Sequence, residues 1–195
     1  MKKMSTDALI AQTMLEFLDE RRITQISVQD IAKEVGISTR TFYNYFQDKF
    51  DVCNFIYDGI IEECICPGGQ RVVLGEFFDR LMRSMSGKYL HFLKNTICYT
   101  GQNNIGDYIV KRGVADLDEQ LRLTGHADMV TAENDMLLTV YMRGLASTLR
   151  LYFNSSKPAQ KEMVLFDKAE MLPRSLYDAL TAPLEKDKIN ALPDR

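Results

Sequence analysis

The sequence predicts an all-α protein in two parts, and three observations predict it. Apolar residues recur at helical spacing almost everywhere, while the alternation of a half-buried strand is nearly absent. Helix-starting Ser and Asp residues and helix-stopping glycines punctuate these periodic stretches. Pro67-Gly68-Gly69 is the strongest breaker and divides a short first part from a longer second one, giving domains 1–66 and 67–195.

Taken in order, a first helix opens at Ser5 or Thr6 and turns Leu9, Ile10, Met14, Phe17 and Leu18 inward. It closes near Arg21 and Arg22, whose charge suits the negative end of a helix dipole. Ser27, three residues before Asp30, is an N-cap with acidic support. The helix it opens buries Val28, Ile31, Ala32 and Val35 at i, i+3, i+4 and i+7. Gly36 ends that helix, and after Ile37 comes Ser38, the cap of a short third helix over 39–46. Phe42 and Phe46 lie one turn apart and face the core. Asp48 caps a connecting helix over 48–64 with Val52, Phe55, Ile56, Ile60 and Ile61 as its buried stripe. Further helices are expected over 71–86, 88–99, 103–123, 128–153 and 159–181, with Gly87, Gly101, Gly125 and the 154–158 stretch at the joints.

Composition narrows the function. The 195 residues are 46% apolar and 26% charged, as in an ordinary soluble chain. No apolar run approaches the roughly 18–20 residues of a membrane span. The Met-Lys-Lys-Met start has no apolar core of a secretion signal, so a cytoplasmic protein is expected. Net charge is −3, and residues 1–50 are balanced with seven basic and seven acidic residues. A polyanionic partner must therefore be met by local placement of groups rather than by bulk charge. Cys53, Cys64, Cys66 and Cys98 lack zinc spacing and read as reduced thiols; His91 and His126 have no partner at ligand or triad spacing. Neither a metal nor another cofactor is expected, and no constellation suggests an enzyme.

Two short helices joined by Gly36-Ile37-Ser38 form a helix-turn-helix, whose second helix must protrude into a major groove while its rear face is anchored. Phe42 and Phe46 are the anchors, with Ile31 and Val35 opposite. Outward lie Thr39, Arg40, Tyr43, Asn44 and Tyr45: hydroxyls, a guanidinium, an amide and phenols that hydrogen-bond phosphates and base edges. The plain alternative is a pair of amphipathic helices with a polar surface.

The stretch from Val28 to Lys49, with its Ile-Ala … Gly-Ile-Ser … Thr-Phe-Tyr … Phe … Lys frame, closely resembles the DNA-binding segment of the TetR family of transcriptional regulators. The likeness covers about residues 6–60. It implies that Gln29 touches DNA from the first helix of the motif and that Thr39, Arg40 and Asn44 face bases. It also implies that Thr41, Tyr43, Tyr45 and Lys49 grip phosphates. Tyr45 stands where many members have histidine, and Arg22 replaces a glycine that often closes the first helix. The Ile-Ser-x-Arg-Thr-Phe-Tyr and Phe-x-Asp-Lys wording looks most like a subgroup that includes dihydroxyacetone-kinase regulators.

For the second domain the resemblance implies ligand binding and dimerisation. Phe78, Met82, Met85, Tyr89, Phe92, Tyr99, Tyr108, Tyr141 and Met142 are candidates to line an adaptable cavity; a core filled by the same residues is the bland alternative. The helices over 128–153 and 159–181 carry Leu137, Leu138, Tyr141, Leu145, Leu149, Tyr152 and Phe153, then Met163, Phe166, Met171, Leu172, Leu176 and Tyr177. So much apolar area suggests pairing with a second copy, against a monomer that buries both stripes. The reading that follows is a homodimeric repressor of operator DNA, released by a small-molecule effector. An activator with a ligand or protein co-regulator, and a helical interaction module without DNA binding, are the alternatives.

Overall fold

The computed structural model describes residues 4–67, 71–154 and 171–185, and among these every regular element is helical. The α-helices are α1 (Thr6–Glu20), α2 (Val28–Val35), α3 (Thr39–Tyr43), α4 (Lys49–Ile65), α5 (Leu74–Ser86), α6 (Leu90–Ile97), α7 (Ile105–Leu123), α8 (Ala132–Asn154) and α9 (Arg174–Thr181). Short 3₁₀ turns at Ile23–Gln25 and Ala127–Met129 precede α2 and α8. None of the described helices is long and apolar enough to cross a membrane.

Two compact units form. The first joins residues 1–62 to 82–105; the second joins 63–81 to 106–195. In the first unit α1 packs against both α2 and α6. Its core holds Ile10, Met14, Leu18, Ile31, Phe42, Val52 and Ile60 from the N-terminal segment, with Phe92, Leu93 and Ile97 from α6. Asn95 of α6 donates from Nδ2 to the Leu18 carbonyl at 2.6 Å, satisfying one of the carbonyls that a helix end leaves open. The second unit buries Ile109, Val110, Leu117 and Leu121 of α7, Leu138, Leu145 and Leu149 of α8, and Leu176 and Leu180 of α9.

Several expectations are corrected. Leu9 and Phe55, placed inward by periodicity, are exposed. Each lies at the edge of its helix's apolar arc, and Phe55 rests edge-on against Phe46 with ring centroids 5.4 Å apart. The third helix, expected over 39–46, stops at Tyr43, tightening into turns in which Asn44 and Tyr45 donate to carbonyls only three residues back. α8 starts at Ala132 because the Thr131 hydroxyl accepts from the Asn134 amide. A single helix over 159–181 does not form: Pro173 adopts an extended backbone and a new helix begins at Arg174. Residues 159–170, with Met163 and Phe166, lie outside the described residues, as do Gly68, Gly69 and the side chain of Tyr152. The acidic residues Asp116 and Asp118 of α7 are partly buried. Asp116 pairs with Arg112 at 2.9 Å, and burial, with the Asp135 carboxylate beside it, pushes the Asp118 carboxyl up.

Gly36 has φ +77, and a Cβ there would meet nothing within 4 Å, so the cost of a side chain is purely that of the left-handed backbone. Gly59, inside α4, is equally open but has ordinary helical backbone. Gly36→Ala is therefore expected to lower unfolding free energy by about 1–2 kcal/mol. Gly59→Ala should raise it by roughly 0.5–1 kcal/mol, both read by urea unfolding.

Candidate nucleic-acid interface

The motif is built by local hydrogen bonds that its residue types dictate. Ser27 caps α2: its hydroxyl accepts from the Asp30 amide at 3.1 Å, and the Asp30 carboxylate accepts back from the Ser27 amide at 3.0 Å. These bonds hold the exposed Asp30 carboxyl below its usual range, the Ser27 hydroxyl contributing most. At the other end the Ile37 amide reaches the Ala32 carbonyl at 2.9 Å and the Gly36 amide reaches Lys33 at 3.2 Å. This is the Schellman pattern that a left-handed glycine permits. Ser38 then caps α3 by accepting from the Thr41 amide at 3.0 Å. The corner between the helices is thus Gly36 and Ile37 alone.

This corner decides which face of α3 is free. Phe42 is fully buried and Phe46 nearly so, while Tyr43, whose ring meets Phe42 edge-on, is 57% exposed and Tyr45 is 48% exposed. Gln29, Thr39, Arg40 and Asn44 are exposed; Thr41 is half-buried, with its hydroxyl 2.9 Å from that of Ser38. Seven of the eight residues read from the sequence as DNA-facing therefore stand on or beside the surface of the motif. Two large phenols left in water beside a guanidinium and an amide form a face of hydrogen-bonding groups, with no carboxylate from α3 among them.

Lys49 is the eighth, and its side chain is turned inward. Its ammonium donates to the carbonyls of Ile23 at 2.7 Å and Ile26 at 2.6 Å, on the 3₁₀ turn before α2. Burial lowers its pKa, opposed by the nearby Asp48 carboxylate. Its neighbours in the first turn of α4 are equally engaged. Asp48 caps the helix by accepting from the amides of Phe50 and Asp51 at 2.7 and 2.8 Å, and accepts from Asn103 Nδ2 at 2.9 Å on its other oxygen. Phe50 stacks on Tyr99 with centroids 4.9 Å apart. The residues that hold this turn, Tyr99 and Asn103, come from the loop after α6. Tyr99 is one of the residues that the sequence offers as candidates to line a cavity. Gly101 lies so close to the Tyr99 ring that a Cβ would collide with it, and Asn103 has φ 59, the left-handed conformation that Asn tolerates.

The nine candidate ligand residues are divided between the units. Met82, Met85, Tyr89, Phe92 and Tyr99 belong to the first, where Met85, Tyr89 and Phe92 are buried. Phe78, Tyr108, Tyr141 and Met142 belong to the second, where Phe78 packs on Phe77 and the Met142 side chain lies against Gly113. Tyr141 is buried, and its hydroxyl has no hydrogen-bond partner among the described residues. Burial raises its pKa, which keeps the phenol protonated and a donor. Among the described residues no three His, Cys, Asp or Glu side chains are grouped to hold a metal ion. No disulfide joins the four cysteines, and burial pushes Cys53 well above its usual pKa.

With this geometry in place, comparison with known proteins is informative. Residues 15–53 match the family of bacterial regulatory proteins described as the tetR family. The chain is 33% identical over 64 residues to the HTH-type dhaKLM operon transcriptional activator DhaS of Lactococcus lactis subsp. lactis (strain IL1403), covering 33% of this chain and 34% of that protein. It is 42% identical over 41 residues to an HTH-type transcriptional regulator of Staphylococcus aureus (strain USA300), covering 21% of this chain and 22% of the relative. These alignments span about a third and about a fifth of the relatives' lengths. A solved structure described as dihydroxyacetone kinase operon activator DhaS shares the fold: TM-score 0.51 and 16% identity, covering 95% of this chain and 94% of that one.

Proposed function

We propose that the chain, whose residues 15–53 match the tetR family of bacterial regulatory proteins, is a homodimeric transcriptional repressor of operator DNA, released by a small-molecule effector. The observation that carries the DNA reading is the free face of α3. Its rear is locked by fully buried Phe42, and Thr39, Arg40, Tyr43, Asn44 and Tyr45 are left to solvent. In this reading Arg40, Thr39 and Asn44 meet base edges, and Gln29, Thr41, Tyr43 and Tyr45 fix the motif on phosphates.

Homodimerisation is supported by a different stripe from the one periodicity suggested. Leu138, Tyr141, Leu145, Leu149, Leu172 and Leu176 are buried within the chain itself. On α8, Met136, Val140 and Leu151 are 62%, 65% and 70% exposed, and Gly144 and Ser147 lie exposed between them. At 3.6 residues per turn these five positions share roughly a quarter of the helix circumference. The space beside Gly144 is open, so a second helix has room to approach closely there. A dimer meets two half-sites about 34–36 Å apart or a multiple of that, so a ligand that changes their separation releases the DNA. The effector is supported by the Tyr141 phenol, a buried donor without a partner among the described residues, which suits a ligand oxygen.

A second reading, activation, is favoured by the description of the Lactococcus relative as a transcriptional activator. Deleting the gene separates the two. Expression from the promoter the protein binds is expected to rise for a repressor, and a fall would establish activation.

Gel shift against the DNA upstream of its own gene, at stated salt, tests DNA binding directly. Arg40→Ala is expected to cost about 1–3 kcal/mol on that operator while sparing a scrambled duplex; equal loss on both would remove Arg40 from base reading. Light scattering is expected to give twice the 22.4 kDa of one chain, and Val140→Glu to return it to a single chain.

A further inference from the structure

The family resemblance gives Lys49 a phosphate, but the structure has already engaged its ammonium within the chain. A lysine has three donors and no acceptor. Two of those donors are committed, at 2.7 Å to the Ile23 carbonyl and 2.6 Å to the Ile26 carbonyl, lengths typical of charge-assisted bonds. The same nitrogen lies 5.4 Å from the centroid of the Phe50 ring, and the side chain is half-buried. A phosphate taking this ammonium would have to displace carbonyl partners already in contact with it.

The place of these two bonds in the chain matters more than their number. Ile26 immediately precedes Ser27, the cap of α2, and Lys49 is the first residue of α4. The whole helix-turn-helix runs between them: α2, the Gly36-Ile37 corner and α3. A bond between residues 23 positions apart closes that segment at its two ends. The local caps fix α2 against α3, but none of them fixes where α3 stands relative to the turn that precedes α2.

We propose that Lys49 is a positioning residue rather than a phosphate contact: it pins together the two ends of the helix-turn-helix and so sets the stance at which Thr39, Arg40 and Asn44 meet base edges. The proposal rests on the DNA reading given above. Base reading then depends on Lys49 through geometry, while the count of neutralised phosphates does not include it.

The two roles differ in salt dependence. A phosphate contact contributes about 0.9 to the slope of log K against log salt, and a residue acting through geometry contributes none. Lys49→Met keeps the stem and removes the donors; Lys49→Arg keeps the charge but carries it on a flat fork of different shape. Binding is measured by fluorescence anisotropy at a series of salt concentrations and well below the unfolding midpoint. The two probes are a random-sequence duplex and the footprinted duplex upstream of the chain's own gene. For Lys49→Met we expect an unchanged slope on random DNA and at least a tenfold fall in the ratio of operator to random affinity, with Lys49→Arg failing to restore that ratio. A slope reduced by about 0.9 per protomer with the ratio preserved, or rescue by Lys49→Arg, would overturn the proposal. So would a variant altered only in stability.

Should the variants not fold, lysine acetylation of the wild-type protein read by mass spectrometry decides the matter. Lys49 is expected to be at least tenfold less reactive than exposed Lys33 in the free protein, with DNA changing nothing. Ready acetylation that DNA suppresses would mark a phosphate contact. Wild-type protein binding neither duplex would overturn the DNA reading, and the proposal with it.

Discussion

Everything exposed on the recognition helix depends on a corner of two residues. A connection as short as Gly36 and Ile37 leaves the second helix almost no freedom. Its direction is set once the first helix is terminated by a left-handed glycine and the second is started by a serine cap. Because helical side chains turn about 100° per residue, that single direction sends Phe42 into the core and its neighbour Tyr43 into water. A Gly36 forced out of the left-handed region would rotate both. The chemistry of the face and the stability of the domain are thus consequences of one backbone conformation.

The same economy holds for charge. The N-terminal fifty residues are electrically balanced, and one of their seven cations, Lys49, is directed at backbone carbonyls. What α3 offers outward is one guanidinium among neutral donors and acceptors. Such a face depends on hydrogen-bond geometry more than on the counterion release that drives non-specific binding. Geometry-dependent recognition places a premium on the bonds that hold the motif in position.

What was legible in the sequence was what nearest neighbours determine. Ser27 with Asp30, Gly36, Ser38 and Asp48 each act on backbone within a few residues, so their types and spacing were sufficient. The buried stripe of α4 was legible except at Phe55, where an edge position and the ring of Phe46 left it outside. The inward turn of Lys49 was not legible, because its partners are backbone carbonyls 26 and 23 residues away and no side-chain pattern marks them. Nor was the role of Tyr99, which looked like a cavity aromatic and instead stacks on Phe50. The stripe of Met136, Val140 and Leu151 escaped notice for the opposite reason. Its more strongly apolar neighbours at Leu138, Leu145 and Leu149 dominated the periodicity and proved to be internal.

The first turn of α4 gathers several of these contacts. Three consecutive residues hold three separate things: Asp48 holds Asn103, Lys49 holds the turn before α2, and Phe50 holds Tyr99. They share one helical turn, so their side chains cannot move independently of the backbone that carries all three. The helix-turn-helix and the loop after α6 belong to one packing unit. Tyr99 and Asn103, from beyond α6, contact the first turn of α4 within that unit, which also contains residues 82–105.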